Sequence, residues 1–389
     1  MRIKDVRVLE APLEAEMANA VIDFSTMTVS MVAVFTDAVV DGEPVVGYGF
    51  NSNGRYAQTG LLTDRLLPRL RAADTDELLD PDTGVVDPVA VRRVVMRNEK
   101  PGGHGDRAVA VGTLDMAMWD ATAKALGKPL YRVLNDRFRP GTPPAESVWV
   151  YAAGGYYRPG DDVAGLRGEI QGYLDLGYRD VKIKIGGATL SEDLERVESV
   201  LDLLPDGCRL AVDANGRFDV RTALEYAAGL GAYDLLWYEE PCDPLDYRGH
   251  AVLAEEYSGV LATGENLFSV QDVGNLVRYG GLRPDRDILQ MDPCLSYGVS
   301  EYVSMLERLE FHGWAPQRCC PHGGHQYNLA MAAAFDLGGC ESYPKVFEPY
   351  GGFADDTPVR EGRVALSAAP GIGIEQKAAL RTLFQKHFG

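Results

Sequence analysis

The chain reads as an α/β protein: a (β/α) TIM-type barrel behind an N-terminal α+β capping domain. Three observations predict this. Its 389 residues are too many for one small domain and suit a barrel of roughly 200–250 residues plus a second unit. Beyond residue 140, short apolar strand patterns alternate with longer helical ones, which calls for parallel strands joined by right-handed crossovers. Charged or acid–base residues recur at the ends of those strands with a period of 26 to 30 residues, the length of one strand, one helix and two loops.

The N-terminal part sets its elements out in order. Residues 2–10 alternate through Ile3, Val6 and Val8 like a strand, and 28–35 and 44–50 are β-rich runs joined across Asp41-Gly42, a hairpin-type turn. Helical patterns follow at 59–71, 87–97 and 106–126, the last ending at Gly127 with Pro129 beyond it. Pro140, Pro143 and Pro144 mark a boundary. The expected division is a capping domain at 1–140 that sets substrate specificity, a catalytic barrel at 141–345, and a segment at 346–389 packing back on the cap.

Eight strands are expected in the barrel: 148–154, 180–187, 209–216, 235–241, 260–266, 287–293, 313–322 and a weaker one near 335–342. Their number suggests a closed barrel, whose C-terminal mouth is where active sites of this fold lie.

Composition excludes several functions. A formal net charge of -19 repels a polyphosphate backbone, which argues against nucleic acid as partner. Nothing approaches the run of about 18 apolar residues a membrane span needs. Charges at the N-terminus stand where a signal peptide needs apolar residues, so no membrane partner and a cytoplasmic location are expected. The six cysteines show neither CxxC pairing nor zinc spacing and are expected as buried free thiols; the adjacent Cys319 and Cys320 have no functional account.

The strand-end residues are Lys182 and Lys184, Asp213, Glu239, Glu265, Asp292 and His322. Equivalent positions on successive strands converge at the barrel mouth. Asp213, Glu239 and Glu265 make a hard-cation site suited to Mg²⁺, one ion per site, which takes oxygen ligands and leaves positions open. The bland alternative pairs these carboxylates with lysines. Lys182 and Lys184 are spaced i, i+2, so both ammonium groups enter the same space, and their mutual repulsion is expected to lower one pKa and make a general base. Asp292 can fix the tautomer of His322 and leave its other nitrogen for acid–base work. A His322/His325 metal pair is the competing reading of that stretch, though it lacks a third soft ligand.

Lys182-x-Lys184, Asp213-Ala214-Asn215, Glu239-Glu240-Pro241, Gly264-Glu265-Asn266, Asp292 and His322 together resemble the mandelate racemase subgroup of the enolase superfamily. The resemblance implies a modified (β/α)7β barrel, Asp213, Glu239 and Glu265 as magnesium ligands, and Lys184 as base. It implies Lys182 beside the substrate carboxylate, Asp292–His322 as the second acid–base group, and Glu341 hydrogen-bonded to a substrate carboxylate oxygen, with Glu348 as a rival. Proton abstraction by a Lys or His base with Mg²⁺ is general to such sites.

The resemblance implies dehydration of a small hydroxy-dicarboxylate or acid sugar, with D-tartrate giving oxaloacetate as the specific case. Arg55 and Lys100 are candidates for binding a distal carboxylate and Tyr156 for a substrate hydroxyl; solvated cations and plain packing are the alternatives. Dehydration of a longer sugar acid, racemisation or epimerisation of a 2-hydroxy acid, a non-catalytic barrel and a metal-dependent hydrolase are the competing functions. A homo-oligomer is expected.

Overall fold

The computed structural model describes residues 1–52, 54–160 and 162–389. Strands β1 (Ile3–Pro12), β2 (Thr28–Val40) and β3 (Glu43–Phe50) form an antiparallel meander in that order. Asp41 and Gly42 both have positive φ, 52° and 86°, the two left-handed positions of a type I′ turn that matches the twist of the flanking strands. The expected helix at 59–71 opens as a π-helical turn, Leu61–Leu66, before α1 (Leu67–Arg71). Helices α2 (Pro88–Val95), α3 (Asp106–Ala125) and α4 (Leu130–Phe138) follow.

Residues 108–123 of α3 are buried on every face, the mark of a helix enclosed by other elements. On one side it lies against β3, where only glycine fits: a Cβ on Gly49 would sit 2.5 Å from Thr113 O, and one on Gly47 2.1 Å from Ala117 O. Its Gly112 faces Cys294 in the barrel, where a Cβ would come within 2.3 Å of the carbonyl oxygen.

The second part alternates β4 (Ser147–Ala153), α5 (Val163–Asp175), β5 (Asp180–Lys184), α6 (Leu190–Leu201), β6 (Leu210–Asp213), α7 (Val220–Leu230), β7 (Tyr238–Glu239), α8 (Tyr247–Glu256), β8 (Leu261–Thr263), α9 (Val270–Tyr279), β9 (Ile288–Leu289), α10 (Val299–Phe311), α11 (Gln326–Phe335) and β10 (Cys340–Ser342). The seven strands are parallel, in the order β10-β4-β5-β6-β7-β8-β9.

The strand expected at 313–322 is not formed. Pro316 and Pro321 remove ladder donors, and 316–318 form a single 3₁₀ turn. Only the C-terminal end of the segment pairs: Cys320 N–H donates to Leu289 O at 2.9 Å, and Glu341 N–H donates to Pro321 O at 3.2 Å. The segment thus bridges β9 and β10 and carries the curled sheet round into a barrel with one position irregular.

At the C-terminus, β11 (Arg363–Ala365) pairs antiparallel with β4, and α12 (Ala378–Phe388) ends the chain. Other residues of this stretch contact the N-terminal elements: Ile372 N–H donates to Asp120 at 2.8 Å, and the Tyr48 and Phe384 rings lie 4.6 Å apart. The six cysteines are free thiols. No helix among the described residues is long and apolar enough to cross a membrane.

Candidate active site and cation-binding cluster

The parallel register brings the strand ends together. Lys184 is level with Asp213, and Asp213 with Glu239, so three functional side chains stand in one row across β5, β6 and β7. Glu265 lies two residues beyond β8, and Asp292 three beyond β9. Oxygen atoms of Asp213, Glu239 and Glu265 lie within 4.8 Å of one another, close enough to share one cation.

The two lysines enter this space from β5 and are almost completely buried. Lys184 Nζ lies 2.5 Å from Asp213 Oδ2; Lys182 Nζ lies 2.5 Å from Glu239 Oε1 and 2.7 Å from Glu341 Oε1. The expected lowering of a lysine pKa by its neighbour is overturned here. Burial does oppose each ammonium, but Asp213 beside Lys184, and Glu239 and Glu341 beside Lys182, raise both above the ordinary lysine value. The nearest charges to each lysine are carboxylates, and they outweigh the repulsion between ammonium groups.

The lysine pairing weighed against a metal site therefore exists, yet it leaves the acids under-compensated. Burial and the neighbouring Asp213 push Glu239 up to about 8 despite Lys182. Burial and Glu265 push Glu240 well above the carboxylate range. Asp213 and Glu341 go the other way: against burial, Lys184 and Lys182 lower Asp213, and Lys182 and His322 lower Glu341 to about 2. A buried cluster that cannot keep all its carboxylates ionised lacks positive charge, and its all-oxygen donor set fits a hard divalent ion.

Hydrogen bonds aim the cluster. Trp237 Nε1 and Gln290 Nε2 donate to Glu239 Oε2 at 2.7 and 2.8 Å, leaving Oε1 for Lys182. Asn215 donates to Asp213 from its backbone at 2.8 Å and from its side chain at 3.2 Å. Asn266 Nδ2 spans both oxygens of Glu240 and reaches Glu265.

On the far side, His322 Nδ1 is 3.0 Å from Asp292 Oδ2. Its Nε2 faces the cluster, 3.5 Å from Glu265 and 3.9 Å from Glu341, and shares a hydrogen bond with the Tyr343 hydroxyl at 3.1 Å. Burial works against the imidazolium, but Glu265, Glu341 and Asp292 lift His322 to about 9. His325, the second member of the competing His322/His325 reading, is not among the residues whose ligand atoms converge on the carboxylate cluster. His325 packs edge-on against Phe50, and burial lowers it to about 4.

The remaining candidates divide. Glu341 is in the site, also accepting from Gly323 N–H at 3.0 Å, whereas its rival Glu348 is half exposed and pairs with Lys377. Tyr156 is buried with the Lys184 ammonium 5.1 Å above its ring. Arg55 reaches the rim: its guanidinium donates to Asn266 Oδ1 and Gly54 O and lies over Phe268. Lys100 stands apart from the cluster. It is exposed, its carbonyl accepts from Arg107, and among the described residues no hydrogen bond or ion pair joins its side chain to the cluster. The surrounding turn is tied to Glu99, which three arginines hold in place.

Residues 165–380 match the enolase C-terminal domain-like family, and the chain belongs to it. An L-talarate/galactarate dehydratase of Salmonella typhimurium is 28% identical over 318 residues, covering 81% of this chain and 75% of the relative. An arabinonate dehydratase of Saccharolobus solfataricus is 28% identical, covering 70% and 71%. A 3,6-anhydro-alpha-L-galactonate cycloisomerase of Streptomyces coelicolor is 31% identical, covering 69% of each chain. Among solved structures, the Salmonella typhimurium dehydratase liganded with Mg and L-lyxarohydroxamate superposes with a TM-score of 0.76 at 24% identity, over 96% of this chain and 90% of that one. A racemase from Streptomyces coelicolor with bound magnesium gives 0.72 at 24%, over 96% and 97%. These two structural likenesses speak for the fold.

Proposed function

We propose that this chain is a magnesium-dependent dehydratase of an acid sugar, a carbon–oxygen lyase. The observation that carries the proposal is that two proton-transfer groups contact opposite ends of one carboxylate cluster. Lys184 meets it at Asp213, and His322 meets it at Glu265. Two relatives are named as dehydratases of acid sugars, and both structural neighbours hold magnesium.

Asp213, Glu239 and Glu265 would hold Mg²⁺. When bound, the ion supplies Lewis-acid stabilisation of negative charge on a substrate carboxylate. Lys182 would receive that carboxylate by its charge; Glu341, held ionised by Lys182 and His322, would donate a hydrogen bond to it only after taking up a proton. Asp213 holds Lys184 as an ammonium; a cation on Asp213, Glu239 and Glu265 would oppose that hold, so that Lys184 would act as the free amine, take the C2 proton and leave an enediolate. His322, carrying its proton at Nε2, gives it to the hydroxyl leaving C3, while Asp292 accepts the Nδ1–H and keeps the ring aimed. The resulting enol ketonises to a 2-keto acid. Positioned acid–base groups of this kind contribute on the order of 10²–10⁴ in rate each.

Within the class we infer a diacid, because Arg55 stands at the rim as a second cation for a distal carboxylate. D-tartrate giving oxaloacetate is the shortest such case, and galactarate is the longer one that the Salmonella relative's name suggests. The test is a screen of acid sugars, including galactarate and every tartrate stereoisomer, for keto-acid formation with and without Mg²⁺. Lys184→Ala and His322→Asn should each lose roughly 10³-fold in rate with Mg²⁺ binding retained. Near-normal turnover by either variant would refute the assigned roles, and isomerised substrate without keto acid would convert the reading to an epimerase.

A further inference from the structure

We propose that Ser52, just after β3, is a positioning residue for the Asp292–His322 dyad. The inference rests on the reading of His322 as the proton donor.

The Ser52 hydroxyl donates to Asp292 Oδ2 at 2.7 Å across 240 residues of sequence, and the serine is 1% exposed. That oxygen is the one His322 Nδ1 also uses, and Asp292 Oδ1 accepts from Cys294 N–H at 2.8 Å. Two oxygens thus meet three donors. A carboxylate held by the backbone on one oxygen and by the imidazole on the other could still tilt; the hydroxyl restrains the oxygen that orients the imidazole. Charge-assisted hydrogen bonds of this kind are the stronger ones, and this one is shielded from water.

The loop is built to deliver the hydroxyl. Asn51 Oδ1 accepts from Ser30 N–H at 2.5 Å, Asn51 N–H returns to Ser30 O at 3.1 Å, and Asn51 Nδ2 donates to Ser52 O at 3.2 Å. The barrel makes room for it. Gly323 has φ 108°, and a Cβ there would lie 2.8 Å from Ser52 Oγ and 2.7 Å from Asp292 Oδ2. The far end of the loop is tied as well, through Arg55 to Asn266 and so to Glu265. Ser52 therefore touches the acid–base dyad while Arg55 touches Asn266 beside the carboxylate cluster.

The experiment follows the His322 Nδ1 proton by NMR in isotopically histidine-labelled protein, with His322→Asn identifying the resonance by its loss. In Ser52→Ala the proton should exchange with solvent at least about tenfold faster, because the carboxylate that holds it is less restrained. The Mg²⁺ affinity and the unfolding midpoint should stay near wild type. With galactarate as probe substrate, kcat should fall roughly tenfold to a hundredfold at unchanged KM. Unchanged proton exchange in a folded Ser52→Ala protein would overturn the proposal. If that variant does not fold, the isosteric Ser52→Cys, a weaker donor, should show faster exchange in smaller measure, and wild-type exchange in it would overturn the proposal equally. Should wild-type protein not dehydrate any acid sugar, the proposed function fails, while the exchange measurement still decides the role of Ser52.

Discussion

The Lys184 ammonium donates to Asp213 Oδ2 at 2.5 Å, from a position directly level with it on the neighbouring strand. The proposed base is therefore anchored to a proposed cation ligand. A positive charge that close competes with any cation for the same oxygen. Lys184→Ala should accordingly bind Mg²⁺ more tightly than wild type, on the order of tenfold, while losing activity. Titration calorimetry measures the affinity; weaker binding in the variant would mean that Lys184 helps build the cation site rather than opposing it.

Glu239 raises a second question of aim. Gln290 and Trp237 both donate to its Oε2, which turns Oε1 toward Lys182 and the cluster. Groups that orient a ligand typically account for about 10–100-fold in metal affinity. Gln290→Leu, which keeps the volume and removes the donor, should weaken Mg²⁺ binding by that factor without unfolding the chain. An unchanged affinity would leave Trp237 as the residue that sets the orientation.

What the sequence disclosed follows from how each residue is placed. Asp213, Glu239, Glu265, Asp292 and His322 were legible because a repeating strand–helix unit converts an even spacing into a ring. Gln290 carried a usable signal that went unread: it lies two residues before Asp292, in a segment that reads as a strand. Ser52 and Tyr343 carried none, since their roles arise where loops from distant parts of the chain meet. The segment 313–322 was misread because its place in the 26–30-residue spacing, ending at His322, outweighed Pro316 and Pro321.

The cap depends on a close approach between helix and sheet. Gly49 has no space for a side chain: a Cβ would meet Thr113 O at 2.5 Å and Ala117 N at 2.9 Å, both backbone atoms that cannot move aside. Gly49→Ala should push α3 off β3 and destabilise the protein by roughly 1–3 kcal/mol or more, as overpacking does. Urea unfolding gives the number. A change below about 0.5 kcal/mol, the range of ordinary surface substitutions, would show that the contact relaxes without cost.

Acid stability tests the arginine cluster that fixes the turn beside Lys100. Glu99 has a nearly buried side chain, 3% exposed, with Arg65, Arg69 and Arg107 at 2.5, 2.7 and 2.9 Å. Burial works against the carboxylate, but these three guanidinium groups outweigh it and lower Glu99 from 4.5 to about 2. A folded value below the unfolded one means that the unfolded chain binds the proton first. The stabilisation is then fully present above the unfolded value and is lost as the pH falls toward the folded one, and the two values bound it at about 3 kcal/mol. Wild type should exceed Glu99→Gln in unfolding free energy by a constant margin from about pH 7 down to about pH 5, and that margin should narrow steadily as the pH is taken on to about 3. Urea unfolding of both proteins across that range measures it. A margin that stays level in acid would show that the arginines hold Glu99 through hydrogen-bond geometry that the neutral amide keeps, with no net contribution from charge.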